Sequence, residues 1–108
     1  MQTKKYMSLL GLARRAGKLS MGHDTALEAV RKRKAKLIVF ASDISQRTVS
    51  DFEYENSNVP AVRIEETIAE IHFALGYKAG VLAVNDENFA NRITELIYQE
   101  ENVYGDKN

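Results

Sequence analysis

The sequence predicts an α/β protein, a three-layer α/β/α sandwich with a central mixed sheet of about four strands. Three observations carry that expectation. Segments whose apolar residues recur every three or four positions alternate with short apolar runs rich in Val and Ile, in the order α-β-α-β-α-β-α-β-α. The run at 37–41, LIVFA, is apolar without interruption, which suits a strand covered by helices on both faces and places it at the sheet centre. Connections are mostly two to six residues long, with no linker and no internal repeat, so residues 1–108 are expected to form a single domain. Crossovers between parallel neighbours should be right-handed, while the strand order stays open.

In the first helix, expected over 4–16, Tyr6, Leu9, Leu10 and Ala13 keep the helical period behind a cap at Thr3, and Gly17 stops the last turn. Residues 19–21 read as a short edge strand. Gly22 then lets the chain reverse into a second helix, 24–34, that buries Ala26, Leu27, Ala29 and Val30. Ser45 caps a third helix ending near Asn56, with Ile44 and Val49 placed to form a hydrophobic staple. Pro60 leads into a strand at 61–64, and Thr67 with Glu70 fits a capping box for a helix ending at Gly76. His72 shares a side of that helix with Ile68 and Leu75 and is expected to be packed or half-buried. The last strand is 81–84. Asp86 caps a final helix on which Phe89, Ile93, Leu96 and Ile97 share one face, and residues 102–108 read as a frayed tail.

A formal net charge of zero hides a separation of charge. The first 36 residues hold ten Lys or Arg against Asp24 and Glu28, while the other 72 hold five positives and thirteen negatives. A segregated basic third points to a face that meets a polyanion, against the alternative of a solvated helix surface. The absence of cysteine excludes disulfides, thiolate metal sites and Cys nucleophiles. No stretch approaches the ~18 apolar residues needed to span a bilayer, and no signal-peptide pattern is present, so a cytoplasmic protein without membrane contact is expected.

In open α/β sheets ligands gather where strands pass into helices, which makes 22–25, 42–45 and 85–87 the first candidates. At the first of these a strand feeds a helix through Gly22, leaving helix N-terminal amides available to an anion. With about 100° between successive residues, Thr25, Glu28, Arg31 and Lys32 fall within an arc of roughly 120° opposite the apolar side. Lys18, Lys34 and Lys36 flank the same helix. Such a face suits a folded nucleic acid, with cations on phosphates and shorter side chains on base edges, although Lys and Arg are favourable near any helix C-terminus. His23, in the turn, can contact a phosphate or base. Asp43, Asp51 and Asp86 suggest carboxylates holding magnesium, but helix caps account for such positions equally well. No nucleophile–base pair, Walker loop or dinucleotide fingerprint is visible, so no catalytic residue, metal site or cofactor is expected.

The stretch 10–41, LGLARRAGKLSMGHDTALEAVRKRKAKLIVFA, followed by SDIS, then NVPAVRI, the helix end ALG and GVLAVNDENFA, resembles the kink-turn-binding ribosomal protein family that includes the archaeal L-seven-Ae and eukaryotic L-thirty-e proteins. It is most similar to the small bacterial YlxQ-type branch. The resemblance implies an α/β/α sandwich that grips sharply bent RNA, with the glycine turn entering the groove beside tandem sheared G·A pairs. Family members commonly read Gly-Ala-Asn-Glu at that turn, with a lysine three residues on; here Gly22, His23, Asp24, Thr25 and Glu28 stand at those places. Only the glycine is retained. A second contact implied by the resemblance is the loop before the last strand, where Tyr77 can stack on a base and Lys78 can meet a phosphate; a structural role for Tyr77 is the alternative.

The expected function is that of a non-enzymatic, monomeric RNA-binding protein recognising kink-turn-like or ribosomal RNA, associated with the ribosome and with ribosomal proteins. The expected contacts are Lys18, Gly22, His23, Asp24, Thr25, Arg31, Lys32, Lys36, Tyr77 and Lys78. The competing expectation is a protein–protein interaction module that works through its acidic surface.

Overall fold

The computed structural model describes residues 4–55 and 58–101, so the Thr3 cap, the helix end at Asn56 and the tail at 102–108 lie outside the described residues. Along the chain run α1 (Lys5–Arg15), β1 (Leu19–Met21), α2 (His23–Arg31), β2 (Leu37–Phe40), α3 (Gln46–Glu55), β3 (Ala61–Arg63), α4 (Ile68–Leu75), β4 (Val81–Val84) and α5 (Glu87–Glu100). The four strands form one mixed sheet in the order β1-β4-β2-β3. β2 pairs with β3 in parallel, whereas β4 runs antiparallel to both β1 and β2.

Alternation along the central strands builds the three layers. Leu37, Val39, Leu82 and Val84 point to a core shared with Tyr6, Leu10, Ile71, Leu75, Ile93 and Leu96 of α1, α4 and α5. Ile38, Phe40, Val81 and Ala83 point the other way, onto Ala26, Leu27, Val30 and Phe52 of α2 and α3. Both faces being covered, β2 and β4 are buried at every position, which accounts for their uninterrupted apolar sequences. β3 is an edge strand with two of three residues exposed.

Several ends depart from the sequence reading. α2 stops at Arg31 rather than at Lys34, because Arg33 takes a left-handed φ of 61° and its N–H and that of Lys34 donate to Val30 and Ala29 at 3.0 and 2.9 Å. The N-terminus of α1 is capped from far along the chain: Glu100 accepts from the N–H groups of Lys5 and Tyr6 at 2.9 and 3.0 Å. His72 is exposed, since the inward line of α4 is centred on Ile71 and Leu75. The capping box of Thr67 and Glu70 and the caps by Ser45 and Asp86 are present. No helix among the described residues is long and apolar enough to cross a membrane.

The reversed β4 also sorts the loops. The C-terminal ends of β1, β2 and β3 share one end of the sheet with the start of β4, where Gly22 N donates to Val81 O and Ala41 N to Gly80 O, both at 2.9 Å. The turn at 22–25 and the loop at 42–45 are therefore neighbours. The segment at 85–87 follows β4 and lies at the other end, so the three strand-to-helix candidates do not form one cluster.

Candidate nucleic-acid interface

Gly22 takes φ 101° and ψ 161°, a backbone state that residues with a Cβ rarely adopt. A Cβ there would meet nothing within 4 Å, so the glycine serves the backbone shape and the turn stays open to an approaching partner. The Gly22 carbonyl accepts from Ala26 at 2.9 Å, and no side chain caps the first turn of α2. Asp24 and Thr25 are exposed.

His23 is held more tightly than its neighbours. Its Nδ1 lies 2.8 Å from Asp24 Oδ1 and its Nε2 lies 2.9 Å from Asp51 Oδ2 of α3. The ring meets Phe52 edge-on at 5.8 Å between centroids. Hydrogen bonds to Asp24 and Asp51 outweigh burial and hold its pKa above the ordinary histidine value. The sequence offered both aspartates, yet their meeting with His23 depends on how α2 and α3 pack.

The cations divide between the flanks of α2. Lys32 pairs with Glu28 at 3.0 Å and lines a shallow groove with Thr25, Ser20, Lys34 and Asn85 on the β1 side. Arg31 instead reaches α3, where its Nε and Nη2 donate to Glu55 Oε2 at 3.0 and 2.8 Å. That contact holds the guanidinium above its usual pKa. The single arc drawn from helical spacing is thus two flanks, because adjacent positions 31 and 32 diverge by about 100°. Lys18 and Lys36 lie near the far end of β4: Asn85 N donates to Lys18 O at 2.8 Å and Lys36 N to Val84 O at 2.7 Å. Among the described residues, Lys18, Lys34 and Lys36 are exposed and make no ion pair.

The loop before β4 carries a second set. Tyr77 is 48% exposed and Phe73, one helical turn earlier, is 94% exposed. Arg14 of α1 donates to the last carbonyl of α4, Leu75 O, at 2.6 Å, and Lys78 is exposed without an ion pair among the described residues. Neither Phe73 nor Arg14 stood out in the sequence; an apolar residue off the buried line of α4 was the available signal for the first. Gly80 closes the loop by close approach, since a Cβ there would fall 2.5 Å from Ile44 Cδ1.

The carboxylates that suggested a magnesium set have separate duties. Asp43 accepts from Ile68 N at 2.9 Å, Asp86 accepts from Phe89 N at 2.9 Å, and Asp51 faces His23. Among the described residues no group of three or more His, Asp or Glu is arranged to hold a metal ion. Much of the remaining acidity is engaged within the fold. Lys4 pairs with Glu65 and, at 3.4 Å, with Glu101, while Tyr6 Oη donates to Glu66 at 2.6 Å.

Comparison with known proteins agrees with this architecture. RNA-binding protein YlxQ of Enterococcus faecium is 35% identical over 96 residues, covering 87% of this chain and 92% of its own length. RNA-binding protein YlxQ of Bacillus subtilis (strain 168) is 32% identical over 100 residues, 90% of this chain and 99% of its own. A protein of unknown function from Bacillus halodurans C superimposes with a TM-score of 0.81 at 26% identity, over 88% of this chain and 98% of its own. The Giardia lamblia 15.5kD RNA binding protein shares the fold, with a TM-score of 0.70 at 18% identity over 95% and 93% of the two chains. Its family profile matching residues 4–93, the chain belongs to the ribosomal protein L7Ae/L30e/S12e/Gadd45 family, in the YlxQ-type branch.

Proposed function

We propose that this chain is a non-enzymatic, cytoplasmic RNA-binding protein, one domain over residues 1–108, that recognises kink-turn-like RNA within ribosome-associated particles. The observation that carries the reading is the exposed side of α2. It begins at a glycine-shaped turn with uncapped amides and ends, roughly 12 Å along the axis, at Lys32, just before Lys34 and Lys36, which make no ion pair among the described residues. The turn reads the groove edge, where Asp24 offers only acceptors to base donors and Thr25 a hydroxyl of either sense. Lys18, Lys34 and Lys36 neutralise phosphates of the adjoining stem, with Arg31 and Lys32 in support from their ion pairs. Tyr77 stacks on an unpaired base and Lys78 meets its phosphate. The names of the relatives, which are RNA-binding proteins, support the same partner.

The protein-interaction reading through the acidic surface fares less well. Glu55, Glu65, Glu66, Glu70, Glu100 and Glu101 all make contacts inside the fold, so a partner would have to displace them. A gel shift with a kink-turn RNA, and with the same RNA lacking its sheared G·A pairs, separates the two. Selective retardation of the intact RNA is the expected result; equal retardation of both refutes kink-turn recognition, and no retardation refutes RNA binding.

A further inference from the structure

One imidazole at the start of α2 stands between two carboxylates, with Nδ1 at 2.8 Å from Asp24 and Nε2 at 2.9 Å from Asp51. A neutral imidazole has a single N–H, and a carboxylate offers only acceptors. Both contacts are hydrogen bonds only when the ring is the imidazolium. The ring is also wedged edge-on against Phe52, so α3 fixes its position through an apolar and a polar contact together. The charged groups acting on it are Asp24 from its own helix and Asp51 from α3, and Arg31, at the other end of α2, interacts in turn with Asp24.

We propose that His23, as the imidazolium, is the positioning residue of the RNA-recognition turn, tying the backbone at 22–25 to α3 and offsetting the carboxylates of Asp24 and Asp51 where RNA phosphates approach. The inference rests on the RNA-binding reading above and adds proton dependence to it. With the ring neutral, Asp24 and Asp51 lose the positive charge between them, Arg31 remaining as a cation that interacts with Asp24, and one of the two carboxylate hydrogen bonds of the ring is lost. Bound RNA adds further negative potential, which raises the His23 pKa again in the complex. By linkage, affinity then increases as pH falls through the interval between the free and bound values, by about tenfold for each unit separating them. In the free protein the same contacts stabilise the fold fully below the unfolded value of about 6.5, and that contribution disappears as pH rises through the higher folded value.

The test is fluorescence anisotropy with a labelled kink-turn RNA at fixed ionic strength, from about pH 5.5 to about pH 8.5, where phosphodiesters do not titrate. Wild type should bind roughly three- to tenfold more weakly at the alkaline end. His23→Gln should bind at the weaker level throughout, with a flat profile. Asp51→Asn, which removes one carboxylate, should lift alkaline affinity and reduce the slope. A flat wild-type profile overturns the inference, as does an unchanged slope in His23→Gln, which would assign the titration to the RNA. Binding that is strong but independent of pH leaves the RNA reading standing, whereas no binding at any pH removes both. An NMR titration of the free protein that places His23 below the ordinary histidine value also overturns it.

Discussion

Gly22 has open space where a Cβ would be, yet its φ of 101° and ψ of 161° belong to a region that is essentially reserved for glycine. A substitution there acts through backbone strain and not through collision. Gly22→Val should therefore cost about 1 to 3 kcal/mol of folding stability, read by urea denaturation, besides weakening RNA binding. An unchanged urea midpoint would show that the turn relaxes at no cost. This residue was legible in the sequence because a lone glycine between a strand and a helix marks a reversal that side chains with a Cβ resist. The fate of His23 was not, because Asp51 lies 28 residues away and only tertiary packing brings the two within 2.9 Å. His72 was misplaced for a related reason: helical spacing says which residues share a side, but the core of α4 chose the line through Ile71 and Leu75.

At the scale of elements, all nine were legible from periodicity and capping signals, and the misplaced boundaries have identifiable causes. The end of α2 carries no glycine, so nothing in VRKRKAK announces a stop after Arg31. The chain nonetheless closes that helix with paired bonds from Arg33 and Lys34 to Val30 and Ala29, and Arg33 bears the left-handed strain at φ 61°. Glycine adopts that conformation with no Cβ penalty. Arg33→Gly should raise stability by about 1 kcal/mol, the cost of one non-glycine residue in the left-handed region. A thermal or urea melt that shows no gain would mean that the flanking contacts already absorb the strain. The start of α1 was legible to within one residue, but the acceptor of its first amides was not, since Glu100 lies 95 residues from Lys5, at the end of α5.

For the whole molecule, β4 running against its neighbours decides which candidates can act together. The turn at 22–25 and the start of β4 fall at one end of the sheet, and the lysines at 18 and 36 at the other. α2 is the element that joins the two ends; each of its flanks carries one paired cation, Arg31 or Lys32, while the lysines at 18, 34 and 36 make no ion pair among the described residues. Arg31 and Lys32 each hold a carboxylate, so RNA must compete with Glu55 and Glu28 for them. Lys18, Lys34 and Lys36 carry no such competition among the described residues, and each phosphate they neutralise should release condensed counterions at no ion-pair cost. Replacing all three by Gln is expected to reduce the slope of log affinity against log salt by about 2 to 3, at roughly 0.7 to 0.9 for each phosphate contact. Replacing Arg31 and Lys32 in the same way should change the slope by less, because Glu55 and Glu28 already neutralise them in the free protein. Titrations of both variants across a salt series decide the point. An equal loss of slope would mean that the ion pairs open freely on binding, and an unchanged slope in the triple variant would remove the far end of α2 from the interface altogether.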